Sequence, residues 1–209
     1  MSPKTRDPDA RREAILSAAH ELFSIHGLRG TRLEDVARRA RVSKGSLYDL
    51  APNKLELFFL VCERQLESEF ERMEAALAAT KDPIDRLRTL LQSVMPSHRQ
   101  APGVYAMIFE LQTLALREKA LTEKVADLYR WHFSRFRRPV MKIITEGIAR
   151  NLFRADLQPA DAAITMEAWV FFKWFEWITF PELTVAELKK SSRQWIDNVL
   201  LLISPVQNE

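Results

Sequence analysis

The residues with the clearest chemical potential in this sequence form the short run Ser43-Lys44-Gly45-Ser46. A lysine ammonium is a donor suited to guanine O6 or N7, and a serine hydroxyl can reach any base edge. Glycine has no Cβ and lets a backbone approach its ligand closely. This run favours recognition of a nucleic acid, provided that the surrounding elements hold it at an exposed helix end.

Other residue types that commonly do chemistry are scattered along the chain. His20, His26, His98 and His132 form no His-Glu-x-x-His pattern, Cys62 has no second cysteine, and no glycine-rich phosphate loop is present. We therefore expect no catalytic residue, no metal site and no cofactor.

Charge is unevenly distributed over the 209 residues. The first 54 residues hold eleven Lys and Arg against seven Asp and Glu, whereas the remainder holds twenty against twenty-one. The positive excess therefore lies at the N-terminal end, which is the balance required of a segment that binds phosphates.

Two short helices are predicted to position the run. The stretch from Thr31 to Glu34 matches a capping box that opens the first helix, and Ser43 is predicted to cap the second. So few residues separate the two that they must cross steeply, and the small Ala37 and Ala40 permit a close crossing. This is the helix-turn-helix arrangement.

The rest of the chain also has the pattern of helices, so the predicted fold class is all-α. Five glycines are few for a protein built on tight turns between strands. Further helix starts are predicted at Asp7-Pro8, Asn53-Lys54, Asp82-Pro83 and a second capping box from Thr184 to Glu187.

Helix ends and breaks are marked by glycine and proline. Gly27 is predicted to end the helix that starts at Asp7-Pro8, and a loop is predicted from Pro96 to Pro102. Pro139 is expected to kink or split a helix that ends near Gly147 and Asn151, because it removes an internal hydrogen bond.

The segment from Thr31 to Lys54 resembles the DNA-binding region of the TetR family of bacterial regulators. A weaker match runs from Glu146 to Asp156 and continues at Ala162-Ala163, and almost nothing between Glu63 and Thr145 is diagnostic. The matching residues of the strong segment are Thr31, Val36, Ala37, the run Val42-Ser43-Lys44-Gly45-Ser46-Leu47-Tyr48, Pro52, Asn53, Lys54 and, just beyond it, Leu57.

The resemblance implies a role for each matched residue. In a helix-turn-helix the second helix enters the major groove, which assigns base reading to Lys44, Gly45 and Ser46. The family pattern makes Thr31, Tyr48 and Lys54 phosphate contacts. The predicted DNA-contacting set is Thr31, Arg41, Ser43, Lys44, Gly45, Ser46, Tyr48, Asp49 and Lys54.

Three residues depart from the family pattern. Arg41 replaces the usual turn glycine, and is expected to strain a left-handed turn or to add a phosphate contact. Asp49 replaces a histidine or an aromatic residue, and either accepts from a cytosine amino group or tunes repulsion from DNA. Ala51 replaces a large aromatic residue, so the corner after the recognition helix either packs loosely or is filled from elsewhere.

Seven aromatic side chains lie from Trp169 to Phe180, at the end of a helix predicted over residues 160–179, and they point all round the helix axis. Such a helix needs a second surface to bury against, which predicts a two-fold, four-helix dimer interface, the same place that the resemblance implies. A monomer with a thick core is the alternative. The predicted interface residues are Phe171, Trp174, Phe175, Trp177, Trp195, Val199 and Leu202.

The resemblance also implies an effector site within the C-terminal helices. An apolar or aromatic small molecule is expected from the predicted lining, although any one of these side chains could instead be ordinary core. The predicted lining residues are Met107, Phe109, Glu110, Trp131, Phe133, Phe136, Met141 and Trp169.

These features together predict a function and a domain organisation. Residues 1–54 are expected to form a three-helix DNA-binding domain, and residues 55–209 a ligand-binding and dimerisation domain. The expected protein is a repressor released from a palindromic operator by a small apolar effector. The alternatives are an all-α ligand-binding protein without DNA binding and, less favoured, an all-α enzyme.

No apolar run approaches the roughly 20 residues that span a bilayer, and the polar N-terminal stretch does not resemble a secretory signal. The protein is therefore expected to be cytoplasmic, without contact to a membrane.

Overall fold

The structure, a computed structural model, describes residues 7–95, 102–180 and 182–205. Within these ranges it contains nine α-helices and no strand, which confirms the predicted all-α fold class. The helices are α1 (Pro8–Gly30), α2 (Leu33–Ala40), α3 (Lys44–Leu50), α4 (Lys54–Ala78), α5 (Pro83–Val94), α6 (Pro102–Ala115), α7 (Lys119–Ala149), α8 (Pro159–Thr179) and α9 (Val185–Ile203).

The loop predicted from Pro96 to Pro102 falls outside the described residues, except that α6 begins at Pro102. His98 also lies outside the described residues. In the described part of the chain, none of the helices combines the length and the apolar character needed to cross a membrane.

Most of the predicted helix caps are confirmed. In each case a side-chain oxygen accepts from a backbone amide in the first turn, which the helix itself leaves without a partner. The capping residues are Asp7, Ser43, Asn53, Asp82 and Thr184, the last in a complete capping box with Glu187.

The capping box predicted at Thr31 is wrong. The Thr31 side chain is buried, and its hydroxyl donates to the carbonyls of Gly27 at 2.9 Å and Leu22 at 3.2 Å. The residue at the N-cap of α2 is Arg32, which makes no side-chain capping bond. The Thr31 hydroxyl therefore stabilises the end of α1 instead, by donating to backbone carbonyls of that helix.

A kink in α1 occurs at Gly27, where φ is 64° and ψ is −178°. This conformation is accessible to glycine and strained for other residues, so the position requires glycine. The helix assignment resumes and runs to Gly30, so α1 extends past the predicted end. The Glu110 carboxylate of α6 accepts the Leu28 amide at 3.2 Å and so fastens the kink.

Helix α7 continues through Pro139, so it is not split there. Phe136 and Val140 are buried on either side of the proline, and packing on both sides holds the helix together. Helix α7 ends at Ala149, close to the end predicted near Gly147 and Asn151, and Asn151 has a left-handed φ of 56°. A Cβ at Gly147 would lie 2.0 Å from the ring of Phe153, so this glycine provides space for the return of the chain.

The described residues form two compact units. The first comprises the residues up to Leu66 together with those from 102 to Val125, and the second comprises residues 67–95, 126–180 and 182–205. In the core of the first unit, Phe23 of α1 meets Phe58 of α4 edge to face, with ring centroids 5.0 Å apart. The functional boundary at residue 54 stays a prediction.

Candidate nucleic-acid interface

A left-handed residue joins α2 to α3. Arg41 has φ 56° and ψ 43°, and its amide donates to the Arg38 carbonyl while the Val42 amide donates to Ala37. The left-handed conformation costs a non-glycine residue roughly 1–2 kcal/mol. The predicted strained turn at Arg41 is therefore confirmed, and it lets two short helices follow each other directly.

The inner side of the helix-turn-helix is closely packed. Leu47 anchors α3 with 1% of its surface exposed, and the small Ala37 and Ala40 of α2 are buried as predicted. Ala51 is fully buried, so the corner after α3 is filled despite its small side chain. This packing fixes which face of α3 looks outward.

The predicted DNA contacts within α3 differ in their exposure. Lys44, Gly45 and Asp49 are exposed, Tyr48 is 50% exposed, and Ser46 is half-buried. Exposure of a tyrosine and a lysine beside a glycine at the start of a short helix is the arrangement that a major-groove reader needs.

Gly45 has no packing role in the protein alone. It is helical, and a Cβ built on it would meet only the Ser43 Oγ, at an ordinary contact distance of 3.7 Å. Nothing within the described residues demands a glycine here, and a close approach of DNA at Gly45 stays a prediction.

Lys44 is paired with an acidic residue of α2. Its Nζ donates to the Glu34 carboxylate at 2.9 Å, and both side chains are more than half exposed. The hydrogen bond from Lys44 lowers the pKa of Glu34, and the same bond raises the pKa of Lys44. A base acceptor that bound Lys44 would compete with Glu34 for the position of the ammonium group.

Three other predicted DNA contacts have structural partners. The Ser43 hydroxyl caps α3 by accepting the Ser46 amide at 3.1 Å, and the Thr31 hydroxyl is engaged at the end of α1. Lys54 donates to the Thr31 carbonyl at 3.0 Å and to the Arg29 carbonyl at 3.3 Å, and so ties the start of α4 to the connection between α1 and α2. Their phosphate contacts stay predictions.

A surface depression of about 830 Å³ beside α2 gathers four arginines. Only Arg41 was among the DNA contacts predicted from the sequence. The other three arginines lie within ten residues of one another, so their clustering was visible in the sequence. Helix α2 corresponds to the helix that crosses the DNA backbone in this motif, so these guanidinium groups suit phosphates. The arginines are Arg32, Arg38, Arg39 and Arg41.

Comparison with known proteins agrees with this geometry. A family profile described as bacterial regulatory proteins of the tetR family matches residues 15–61, which contain α2, α3 and the whole of the turn between them. The chain therefore contains a DNA-binding region of the TetR type. Regulators of this family are non-enzymatic DNA-binding transcription factors, which confirms the sequence-based preference for a regulator over an enzyme.

The curated proteins that the chain resembles include both an activator and a repressor. It is 32% identical over 118 residues to the HTH-type transcriptional activator FasR of Mycolicibacterium smegmatis, a match that covers 56% of this chain and about half (54%) of FasR. It is 27% identical over 187 residues to the HTH-type transcriptional repressor KstR2 of the same organism, covering 84% of this chain and 85% of KstR2.

The fold is also similar to solved structures. A TetR-family transcriptional regulator from Rhodococcus sp. superposes with a TM-score of 0.69 at 25% identity, over 92% of this chain and 99% of that one. The similarity therefore extends beyond the helix-turn-helix to the C-terminal helices.

The second compact unit contains a small cavity of about 40 Å³. Its lining includes two of the predicted effector residues, Phe133 and Phe136 of α7. It also includes Phe171 and Trp174 of α8, which the sequence analysis assigned to the dimer interface.

The other predicted effector residues lie elsewhere. Met107 is buried in the first unit, Glu110 binds the kink of α1, and Phe109 is half-buried on the same helix. Trp131 packs edge to face on Phe70, with ring centroids 5.4 Å apart. Among the described residues these side chains have structural contacts, and their role toward an effector stays a prediction.

Met141 and Trp169 also lie outside the lining of the small cavity. Met141 is 38% exposed on α7. Trp169 is 46% exposed and lines a separate groove with Trp195, their rings 6.3 Å apart.

Sequence reasoning missed the polar residues of the small cavity, which are Glu69, His132 and Glu167. A partial signal existed on α8, where Glu167 begins an apolar stripe that continues at Val170, Phe171 and Trp174. A carboxylate within an apolar stripe at helical spacing faces inward.

The predicted dimer residues divide into two groups. Phe171, Phe175 and Leu202 are 37%, 48% and 68% exposed, and Val199 is half-buried. Trp177 and Trp195 are buried, as is Trp174, whose indole Nε1 donates to the Val94 carbonyl at 2.8 Å. Other exposed apolar residues of α8, its C-terminal end and α9 were not among the predicted interface residues; they are Ile164, Trp169, Phe172, Phe180, Val185 and Leu201.

Proposed function

We propose that this protein is a cytoplasmic, homodimeric, ligand-responsive repressor that leaves a palindromic operator when a small effector with an apolar or aromatic body binds. The observation that carries the proposal is the outward face of α3, where Lys44 and Gly45 are exposed on a helix that buried Leu47 anchors. The proposed division of labour is DNA binding by residues 1–54, and effector binding and dimerisation by residues 55–209.

Base reading by this face follows from its chemistry. Lys44 exchanges the Glu34 carboxylate for guanine O6 or N7, Gly45 admits the groove edge against the backbone, and Ser46 and Asp49 reach neighbouring bases. Tyr48, Lys54 and the arginines around α2 hold the phosphates, which give affinity and salt dependence but little sequence preference.

A dimer is supported by the exposed apolar surface of α8 and α9. Several large apolar side chains there, among them Phe175 and Leu202, are about half exposed or more. A contiguous surface of this kind marks an interaction site, and a two-fold axis would apply it to itself. Two reading heads about 34–36 Å apart would then match an operator with two-fold symmetry.

The proposed response is a shift between two populations of the dimer. In one form the spacing of the two DNA-binding helices matches the operator, and in the other it does not. An effector that binds more tightly to the second form reduces operator occupancy, and its difference in affinity for the two forms sets the size of the effect. The cavity of the second unit is the proposed effector site, since it combines aromatic walls with convergent polar groups.

The decisive experiment measures binding to the DNA upstream of the protein's own gene by anisotropy at two salt concentrations. We expect Lys44→Ala to weaken binding and alter base preference, and Tyr48→Ala to weaken binding about equally on all sequences. The exposed Gln92→Ala on α5 serves as a control. Wild-type affinity and preference in both variants would refute the assigned roles. Absence of salt-dependent binding to any DNA would favour the ligand-binding protein without DNA binding.

The dimer is tested by light scattering. Phe175→Asp and Leu202→Asp should each yield a monomer, whereas Leu116→Asp, at a residue that is 88% exposed outside α8 and α9, should leave the dimer intact. A dimer that persists in both interface variants would place the interface elsewhere.

A further inference from the structure

The small cavity of the second unit has an unusual polar lining. Its described lining residues include two carboxylates, Glu69 and Glu167, and neither lysine nor arginine. Glu69 is 7% exposed as a residue and the Glu167 side chain is 14% exposed. Two carboxylates this deeply buried are costly unless positive charge or hydrogen-bond donors compensate them.

One oxygen of Glu167 is compensated and the other is not. Arg137 donates through its Nε to the Glu167 Oε2 at 2.9 Å. The Oε1 atom is buried and has no hydrogen-bond partner among the described residues. Burial raises the pKa of Glu167 despite the neighbouring guanidinium, so the carboxylate gains from any further donor.

His132 provides a second polar atom without a partner. Its Nδ1 is buried with no hydrogen-bond partner in the described part of the chain, and its ring lies 4.9 Å from that of Phe70. Burial lowers the pKa of His132 to about 4, so the ring is neutral near neutral pH. A neutral imidazole does not repel a cation, and with its proton on Nε2 it accepts a hydrogen bond through Nδ1.

The aromatic walls complete the environment. Two rings already face cations of the protein itself, since Arg135 lies 5.5 Å over Phe70 and Arg137 lies 5.3 Å over Phe133. Phe136 and Trp174 also line the cavity, and the indole of Trp174 is held in place by its bond to a backbone carbonyl. Aromatic faces attract a desolvated cation.

We propose that this cavity binds the protonated amine head group of the effector, with N–H donation to Glu167 Oε1. This inference rests on the proposed effector response and names the chemical class of the ligand. The cavity measures about 40 Å³, which suits a head group and not a whole molecule. The apolar body of the effector extends out of the cavity past Phe171, which is the exposed residue of the lining.

An N–H group distinguishes this proposal from general attraction of cations. A quaternary ammonium would meet the aromatic walls but could not donate to Glu167 Oε1, and a carboxylate would be repelled by this oxygen. The ligand class is therefore an ammonium with at least one hydrogen on nitrogen, carried by an aromatic or aliphatic body.

The first test uses the wild-type protein and three probes that share one aromatic body. Calorimetry near neutral pH compares phenethylamine, phenethyltrimethylammonium and hydrocinnamate. We expect phenethylamine to bind about tenfold or more tightly than the quaternary analogue, and hydrocinnamate to bind least. Equal or tighter binding of either competitor, or no binding of phenethylamine at millimolar concentration, would overturn the proposal.

The second test replaces the unpartnered oxygen. Glu167→Gln keeps the size of the side chain and should weaken phenethylamine binding by roughly ten- to hundredfold, whereas Asp161→Asn, at an exposed residue of the same helix, should not. Thermal melting verifies that both variants are folded. Unchanged phenethylamine affinity in folded Glu167→Gln would overturn the assignment, and the comparison of probes decides the matter if that variant does not fold.

Operator binding separates this proposal from the proposed function. If phenethylamine binds through Glu167 but leaves operator affinity unchanged, the head-group site stands and the proposed response fails. If hydrocinnamate releases the operator and phenethylamine does not bind, the response stands and the head-group site is wrong.

Discussion

Substitution of Gly45 by alanine should separate folding from DNA recognition. A Cβ at this position meets only the Ser43 Oγ at 3.7 Å, so the new methyl group clashes with nothing in the described part of the protein. Gly45 is helical and not in the left-handed region. Alanine is favoured over glycine within a helix by about 0.5–1 kcal/mol, and by less in the first turn.

The free energy of unfolding of Gly45→Ala should therefore stay the same or rise by up to about 1 kcal/mol. Operator binding should respond in the opposite direction. A methyl group between α3 and the groove edge pushes the helix outward and weakens base contacts that are each worth about 1–3 kcal/mol. Affinity should fall about ten- to hundredfold.

The assay combines denaturant unfolding with anisotropy on the identified operator. Gln92→Ala on α5 is the matched control, since it changes an exposed uncharged residue of another helix. Wild-type operator affinity in Gly45→Ala would refute a close approach at this residue. A parallel loss of stability and affinity would instead mean that the glycine is needed for folding, contrary to the geometry.

Three further predictions address other described residues. Glu34→Gln removes the partner of Lys44 and should raise operator affinity about two- to fivefold, so an unchanged affinity would show that the pair does not compete with DNA. Arg41→Gly should leave the free energy of unfolding equal or up to about 1 kcal/mol higher, because glycine relieves the left-handed strain. The same change should also reduce the slope of the logarithm of the operator-binding constant against the logarithm of the salt concentration by about one, which corresponds to the loss of one phosphate contact. Titration at several salt concentrations measures this slope. Because burial lowers the pKa of His132 from 6.5 to about 4, the unfolded chain binds the proton more tightly, and the free energy of unfolding should fall by up to about 3 kcal/mol as pH drops through this range. His132→Gln should reduce that fall in denaturant unfolding while the exposed His26→Gln should not, and identical pH profiles of all three proteins would contradict the assignment.

Features that depend on neighbouring residues were predictable from the sequence. The caps at Asp7, Ser43 and Asn53 join atoms within three residues of one another, so the residue types alone indicate them. The exposed start of α3 follows from the same local logic, since the cap at Ser43 and the inward Leu47 leave Lys44 and Gly45 outside.

Features that depend on competition between distant partners were not. Thr31 and Glu34 have the spacing of a capping box, yet the Thr31 hydroxyl binds carbonyls of α1 and Glu34 binds Lys44. Pro139 has the properties of a helix breaker, yet packing on both sides keeps α7 continuous. In each case tertiary contacts outweigh a local preference worth about 1–3 kcal/mol.

The sequence by itself determined the helical class, most helix starts and the outward face of the reading helix, because these follow from side chains within one or two turns of each other. Only the tertiary structure decided which polar groups share the cavity of the second unit. Glu69, His132 and Glu167 are far apart in the chain, and they meet because the packing of α4, α7 and α8 brings them to one cavity. Periodicity indicates that a side chain faces inward, whereas its partners there depend on how the helices pack against each other.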